Sequence, residues 1–114
     1  HTDGSVMQAV SGLIDMGIDI LQALQFSADN MDPTALKQLS GGRLCFEGGV
    51  SVQTTLPFGS PEEVANEVRA RIDVLGKGGG YIMGPSHWIQ AGTPPANIVA
   101  MFDTAREYYP FLRP

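Results

Sequence analysis

Apolar residues recur along this chain at two spacings, and each predicts a different element. Val64, Val68, Ile72 and Leu75 follow one another at helical intervals behind Ser60-Pro61-Glu62-Glu63. That tetrapeptide is a helix start: a capping serine, proline at the first helical position and glutamate where a capping box needs it. Gly76 closes this helix, whose polar side carries Glu67, Arg69, Arg71 and Asp73. The same grammar predicts three more helices. One starts at Thr93-Pro94, with Ile98, Met101, Phe102 and Ala105 on one stripe, and stops before Pro110. A short one starts at Asp32-Pro33, carries Leu36 and Leu39 and ends at Gly41-Gly42. The first runs from about Ser5 through Val6, Val10, Leu13 and Ile14 to Gly17.

Between the helices lie apolar runs of strand length: Ile18–Gln22, Leu44–Phe46 and Tyr81–Met83. Each is bounded by glycine or polar residues, as a buried strand is. Helix alternating with short strand predicts βα units around a parallel sheet. In such units the functional groups gather in the loops after the strands. Those loops hold Gln22 and Gln25, then Glu47-Gly48-Gly49 with Gln53, then Gly84 to Gln90 with His87 inside. The chain begins on a helix, so His1 and Asp3 read as residues leaving a strand that precedes it, which places both histidines on one face. Gly17, Gly41-Gly42 and Gly76 to Gly80 fall at the other end and read as turns.

Composition narrows the functions open to such a fold. At 114 residues with net charge −5, the chain is one domain, and its seven basic residues form no patch for phosphate backbones, which excludes a nucleic-acid partner. No apolar run is long enough to span a bilayer, and a lone Cys45 makes no internal disulfide, so a reducing, cytoplasmic setting is expected. The absence of an initiator methionine is expected of a piece of something longer. Cys45, between Leu44 and Phe46, reads as a small apolar core residue.

The chemistry-bearing residues sort by their place in the fold. Gly76-Lys77-Gly78-Gly79-Gly80 resembles a phosphate loop in composition only. A true one follows a strand and opens a helix, whereas these glycines close a helix and enter a strand. Gly48 and Gly49 allow a ligand or a backbone to approach closely, or simply make a tight turn with Glu47 hydrogen-bonded to a neighbouring loop. His87, with a carboxylate near it, can shuttle protons near neutral pH. His1, Asp3 and His87 together can also supply three N/O ligands to zinc.

The segments HTDG (His1–Gly4), FEGG (Phe46–Gly49), GKGGGYI (Gly76–Ile82) and GPSHWIQAGTPPANI (Gly84–Ile98) resemble, in their order and spacing, the carboxyl-terminal portion of the uroporphyrinogen decarboxylase superfamily. The resemblance runs from His1 to about Tyr109. It implies an α/β fold, the C-terminal part of a (β/α)8 TIM barrel, with three to four parallel strands in one partial-barrel domain over residues 1–114. One branch of the superfamily decarboxylates a tetrapyrrole without a cofactor. The resemblance gives His87 the place of the decarboxylases' loop histidine. Asp3, Glu47, Gly48, Gly49, Ser86 and Gln90 would then line the substrate. The other branch moves methyl groups between a corrinoid protein and an acceptor with zinc, and there His1 matches the metal histidine. Asp3 and His87 stand where that branch has cysteines, so His1, Asp3 and His87 would make a harder ligand set. The run Gly48-Gly49-Val50-Ser51-Val52 departs from the decarboxylases' Gly-Asn-Leu-Asp-Pro, and their arginine-rich carboxylate-gripping motif belongs to an amino-terminal half not found here.

The function expected first is therefore that of a decarboxylase-like C-terminal fragment acting on a tetrapyrrole-type small molecule of porphyrin biosynthesis, with no cofactor. A zinc-dependent, corrinoid-linked methyltransferase is the alternative. A third expectation is a catalytically inactive fragment that self-associates as a homodimer, because three strands leave edges and one apolar face uncovered.

Overall fold

The structure, a computed structural model, describes residues 1–109. Three strands, β1 (Ile20–Gln22), β2 (Cys45–Val50) and β3 (Tyr81–Pro85), form one parallel sheet in the order β1-β2-β3. Their register sets Leu21, Phe46 and Tyr81 side by side, and Gln22, Glu47 and Ile82 beside one another one residue on. Because neighbours in register share a face, the first row packs under the helices and the next row points away from them. Phe46 is fully buried in a core with Leu36, Val64, Val68, Ile72 and Leu75. On the other face Ile20 and Ile82 are each 47% exposed. Cys45 lies on that open face and is half-buried, not in the core as its apolar neighbours suggested, because strand alternation turns it away from Phe46.

The helices are α1 (Val10–Asp15, after a 3-10 turn at Met7–Ala9), α2 (Pro33–Ser40), α3 (Thr55–Phe58), α4 (Pro61–Leu75) and α5 (Pro95–Tyr108). The predicted alternation of helix and strand and the parallel sheet are both found. Such a sheet, with helices on one face, fits part of a barrel wall; barrel closure is not seen among the described residues. Among those residues no helix is long and apolar enough to cross a membrane.

The departures from expectation have local causes. The first helix starts later than Ser5 because Val6 is buried in the core and its N–H donates to Met31 Sδ at 3.4 Å. β2 runs on through Glu47-Gly48-Gly49, expected as a loop, because the glycines (φ +104° and +100°) keep pairing with Gly84 and Met83 of β3. α3 has no counterpart in the apolar pattern, since Pro57 and Gly59 flank Phe58 as turn residues would. In α5 the buried seam is Asn97, Met101 and Thr104, and Phe102 is 54% exposed instead of core. Asn97 Nδ2 fixes that rotation by donating to the Leu56 and Gly59 carbonyls at 2.9 and 2.7 Å, the orphan acceptors at the end of α3. Leu39 of α2 is likewise exposed, and Ser40 takes the buried place. Gly76 ends α4 in the right-handed region, and the left-handed turn comes later, at Gly78 to Gly80. The stop expected before Pro110 involves residues outside those described; α5 itself ends at Tyr108.

The capping box at α4 is present in full: Ser60 Oγ accepts from Glu63 N at 3.2 Å, and Glu63 Oε2 accepts from Ser60 N at 2.7 Å. These bonds to Ser60 hold the Glu63 carboxyl below its ordinary range. Ser60→Ala should therefore cost about 1 kcal/mol, read as a lower urea midpoint. A lowered folded-state pKa stabilises above the unfolded value and loses that effect as pH falls through the folded one. The difference between wild type and Glu63→Gln should thus shrink on acidification, and a difference that grows would contradict the box.

Candidate functional site

The three strand ends converge at Gly48. A Cβ placed there would lie 3.0 Å from the Pro85 carbonyl oxygen and 3.5 Å from Leu24 N, so only glycine lets β3 and the segment after β1 come this close. Tyr81 Oη donates to the Gly48 carbonyl at 2.7 Å from within the core. Burial raises the Tyr81 pKa well above the ordinary phenol value, which keeps it a neutral donor. Directly after β1, Ala23 takes a left-handed conformation (φ +63°) although it carries a Cβ, and so turns Leu24 into the core while Gln25 leads toward the strand-end face.

The amino-terminal segment lies along the end of β1: Thr2 N donates to the Gln22 carbonyl at 3.3 Å. His87 follows β3. Ser86 N donates to the Val50 carbonyl at 2.7 Å, and Ser86 Oγ accepts from Val52 N at 3.2 Å. These two bonds bury Ser86 and leave the next side chain, His87, exposed at the strand ends. The rings of His1 and His87 meet edge to face with centroids 5.5 Å apart. His1 Nε2 is 3.5 Å from Asp3 Oδ2. Ligand atoms of His1, Asp3 and His87 all lie within 4.8 Å of one another. The three residues singled out from the sequence are thus one cluster.

Hydrogen-bond direction fixes the protons at His1. The Glu47 carboxylate only accepts, so it must face the amide nitrogen of Gln22, and Gln22 Nε2 donates to Glu47 Oε1 at 2.9 Å. The Gln22 oxygen is then turned to His1 Nδ1, 3.0 Å away. Nδ1 therefore carries a hydrogen, and Nε2 faces the Asp3 carboxylate. The 3.5 Å between Nε2 and the Asp3 carboxylate, both partly exposed to solvent, is compatible with two arrangements: a proton or a water molecule bridging them, or a metal ion held by both. The donor set suits the second: two imidazoles and a carboxylate are zinc ligands, and donors about 2.1 Å from a tetrahedral zinc stand about 3.4 Å apart, close to the His1–Asp3 separation. Gln22 and Glu47 would then be the outer partners that orient a ligating histidine.

Two cavities flank the cluster. One of about 340 Å3 is lined by Asp3, Gln25, Val52, Gln53, Ser86, His87 and Gln90. The other, of about 330 Å3, takes in His1, Gln22, Glu47, Gly48, His87, Trp88 and Phe102 among its walls. Among the described residues neither is lined by lysine or arginine. Of the residues expected to line a substrate, Asp3, Ser86 and Gln90 border the first cavity, and Glu47, Gly48 and Ser86 the second. Gly49 is at neither: a Cβ there would meet the Phe26 ring at 3.0 Å, and Arg71 Nε donates to its carbonyl at 3.0 Å. The second Gly of the pair serves packing between β2 and α4. Trp88, 81% exposed, and Phe102 are wall residues that the pattern did not assign to the site. Trp88 sits beside His87 in the strand-end loop, which was signal enough, whereas the helical stripe drew Phe102 into the core.

Residues 1–108 match the family model for Uroporphyrinogen decarboxylase (URO-D), and the chain belongs to that family. It is 31% identical over 83 residues to a uroporphyrinogen decarboxylase of Azoarcus sp. (strain BH72), a match covering 73% of this chain and 23% of that protein. The chain thus spans about a quarter of the length of the relative it matches.

The hydrogen-bond chain from Glu47 makes a testable statement about His1. Nitrogen-15 NMR at neutral pH should find Nδ1 protonated in the wild-type chain. Gln22→Leu should abolish that preference, and an unchanged tautomer would show that Gln22 does not set it.

Proposed function

We propose that this chain forms one wall of the catalytic site of a URO-D-family enzyme acting on a small molecule, and that His1, Asp3 and His87 hold a divalent cation there. The observation that carries the reading is the clustering of His1, Asp3 and His87, whose ligand atoms all lie within 4.8 Å of one another although His87 is remote in sequence. A cation in that place would act as a Lewis acid, which is what the methyl-transferring branch of the superfamily requires of its zinc. His1, oriented by Gln22 and Glu47, supplies a ligand with a fixed tautomer. Asp3 would lower the charge of a bound ion, and His87 would be its third ligand. Trp88 and Phe102 offer apolar surface next to the reacting centre.

The second reading is cofactor-free decarboxylation of a carboxylated ring substrate, supported by the similarity to a uroporphyrinogen decarboxylase. In it the cation between His1 and Asp3 is a proton, and His87 orients substrate or passes the proton to carbon.

Titration with Co2+, followed by visible absorption, separates the two. The chain should bind one ion, with affinity at least tenfold weaker in His87→Ala and in Asp3→Asn. No stoichiometric binding, in this chain or in a longer protein carrying it, removes the metal reading. Uroporphyrinogen turnover lost in His87→Ala would then support the second.

A further inference from the structure

The Gln53 side of the 340 Å3 cavity has its own chemistry, and hydrogen-bond direction fixes it as it fixes His1. The backbone N–H of Gly4 donates to Gln25 Oε1 at 2.9 Å, and a backbone N–H can meet only the oxygen of that amide. The nitrogen of Gln25 is therefore turned the other way, toward Gln53 Oε1 at 3.1 Å. Ser27 Oγ donates to the same oxygen at 2.9 Å. With its oxygen taken twice, Gln53 has its NH2 left over at the cavity wall, without a partner among the described residues. The hydroxyl of Ser86 is in the same position: its oxygen accepts from Val52 N, and its hydrogen has no partner there. Val52, 9% exposed, gives an apolar surface at the same wall.

We infer that this cavity binds a neutral, oxygen-bearing group (an ether, carbonyl or carboxamide), with the Gln53 NH2 and Ser86 hydroxyl donating to its oxygen and Val52 against its carbon skeleton. Two neutral donors and an apolar wall match an uncharged acceptor. A carboxylate would come close to the Asp3 carboxylate, which lines the same cavity and repels it. The direction-fixed chain from Gly4 to Gln53 makes the selection a property of the fold, since rotating the Gln53 amide would set its NH2 against the Gln25 NH2. The inference rests on the reading of the strand-end face as substrate-facing, but not on the cation.

The probes are benzamide and benzoate, one shape with and without charge, titrated into the nitrogen-15-labelled chain. Benzamide should move the Gln53 side-chain amide and Ser86 backbone signals saturably, with benzoate at least tenfold weaker. Gln53→Glu keeps an oxygen for Gln25 and Ser27 while removing the free donor, and should weaken benzamide about tenfold with the folded spectrum retained. Benzoate binding as well as benzamide, or Gln53→Glu leaving benzamide binding unchanged, overturns the proposal. A Co2+ titration of the same sample, read at the imidazole signals of His1 and His87, fails separately. Benzamide selection without Co2+ binding sinks the cation and keeps the pocket, and Co2+ binding without benzamide selection does the reverse.

Discussion

Everything at the strand-end face depends on the absence of a side chain at Gly48. Parallel strands would otherwise stand a side chain at that level of β2, where the Pro85 carbonyl and the Leu24 amide now lie against bare backbone. The close approach brings the end of β3, and with it Ser86 and His87, over the end of β2. It also lets the segment beyond β1 turn inward through Ala23, whose left-handed backbone is an unfavourable state for a residue with a Cβ, typically by about 1–2 kcal/mol. That strain is borne at a buried position beside the site, where the core contacts of Leu24 oppose its relaxation. The Tyr81 hydroxyl satisfies the Gly48 carbonyl from the helix side, so the approach leaves no orphaned acceptor.

On this scaffold, two chains of hydrogen bonds transmit direction. One runs from Glu47 through Gln22 to His1, the other from the Gly4 amide through Gln25 to Gln53. Each starts at a group that can act in only one sense, a carboxylate that accepts or a backbone N–H that donates. The carboxamides between them pass that sense on, so an imidazole nitrogen and a free NH2 end up at defined places on either side of Asp3. The arrangement uses little charge: the site is built from amides, imidazoles and two carboxylates. The basic side chains packed on the sheet are used elsewhere. Arg71 bridges Glu67 and the Gly49 carbonyl and stacks on Phe26, and Lys37 clamps the Leu75 and Gly79 carbonyls at the opposite end of the sheet.

Much of this was legible before the structure. Helix starts at Asp32-Pro33 and Ser60-Pro61 and the turns at Gly17 and Gly41 are dictated by local backbone chemistry, which needs no tertiary context. The parallel sheet followed from the alternation of elements, and the placing of His1, Asp3 and His87 on one face followed from the sheet. Residues whose role depends on a distant partner were harder to read. Phe102 passes for core until Asn97 is seen to fasten α5 to the end of α3. Cys45 passes for buried until alternation from Phe46 turns it to the open face. Gly49 resembles its neighbour Gly48 until Phe26 and Arg71 are found against it.

The sequence by itself determined the order of elements, their polarity and the chemical cast of the strand-end loops, because periodicity and capping are properties of neighbouring residues. Only the tertiary structure decided which nitrogen of His1 faces Asp3, which glycine serves the site and which the packing, and which face of α5 is buried. Those outcomes rest on hydrogen bonds and contacts between residues some twenty to forty positions apart, such as Gln22 with Glu47 and Asn97 with Leu56. Local sequence carries no record of them until the chain has closed on itself.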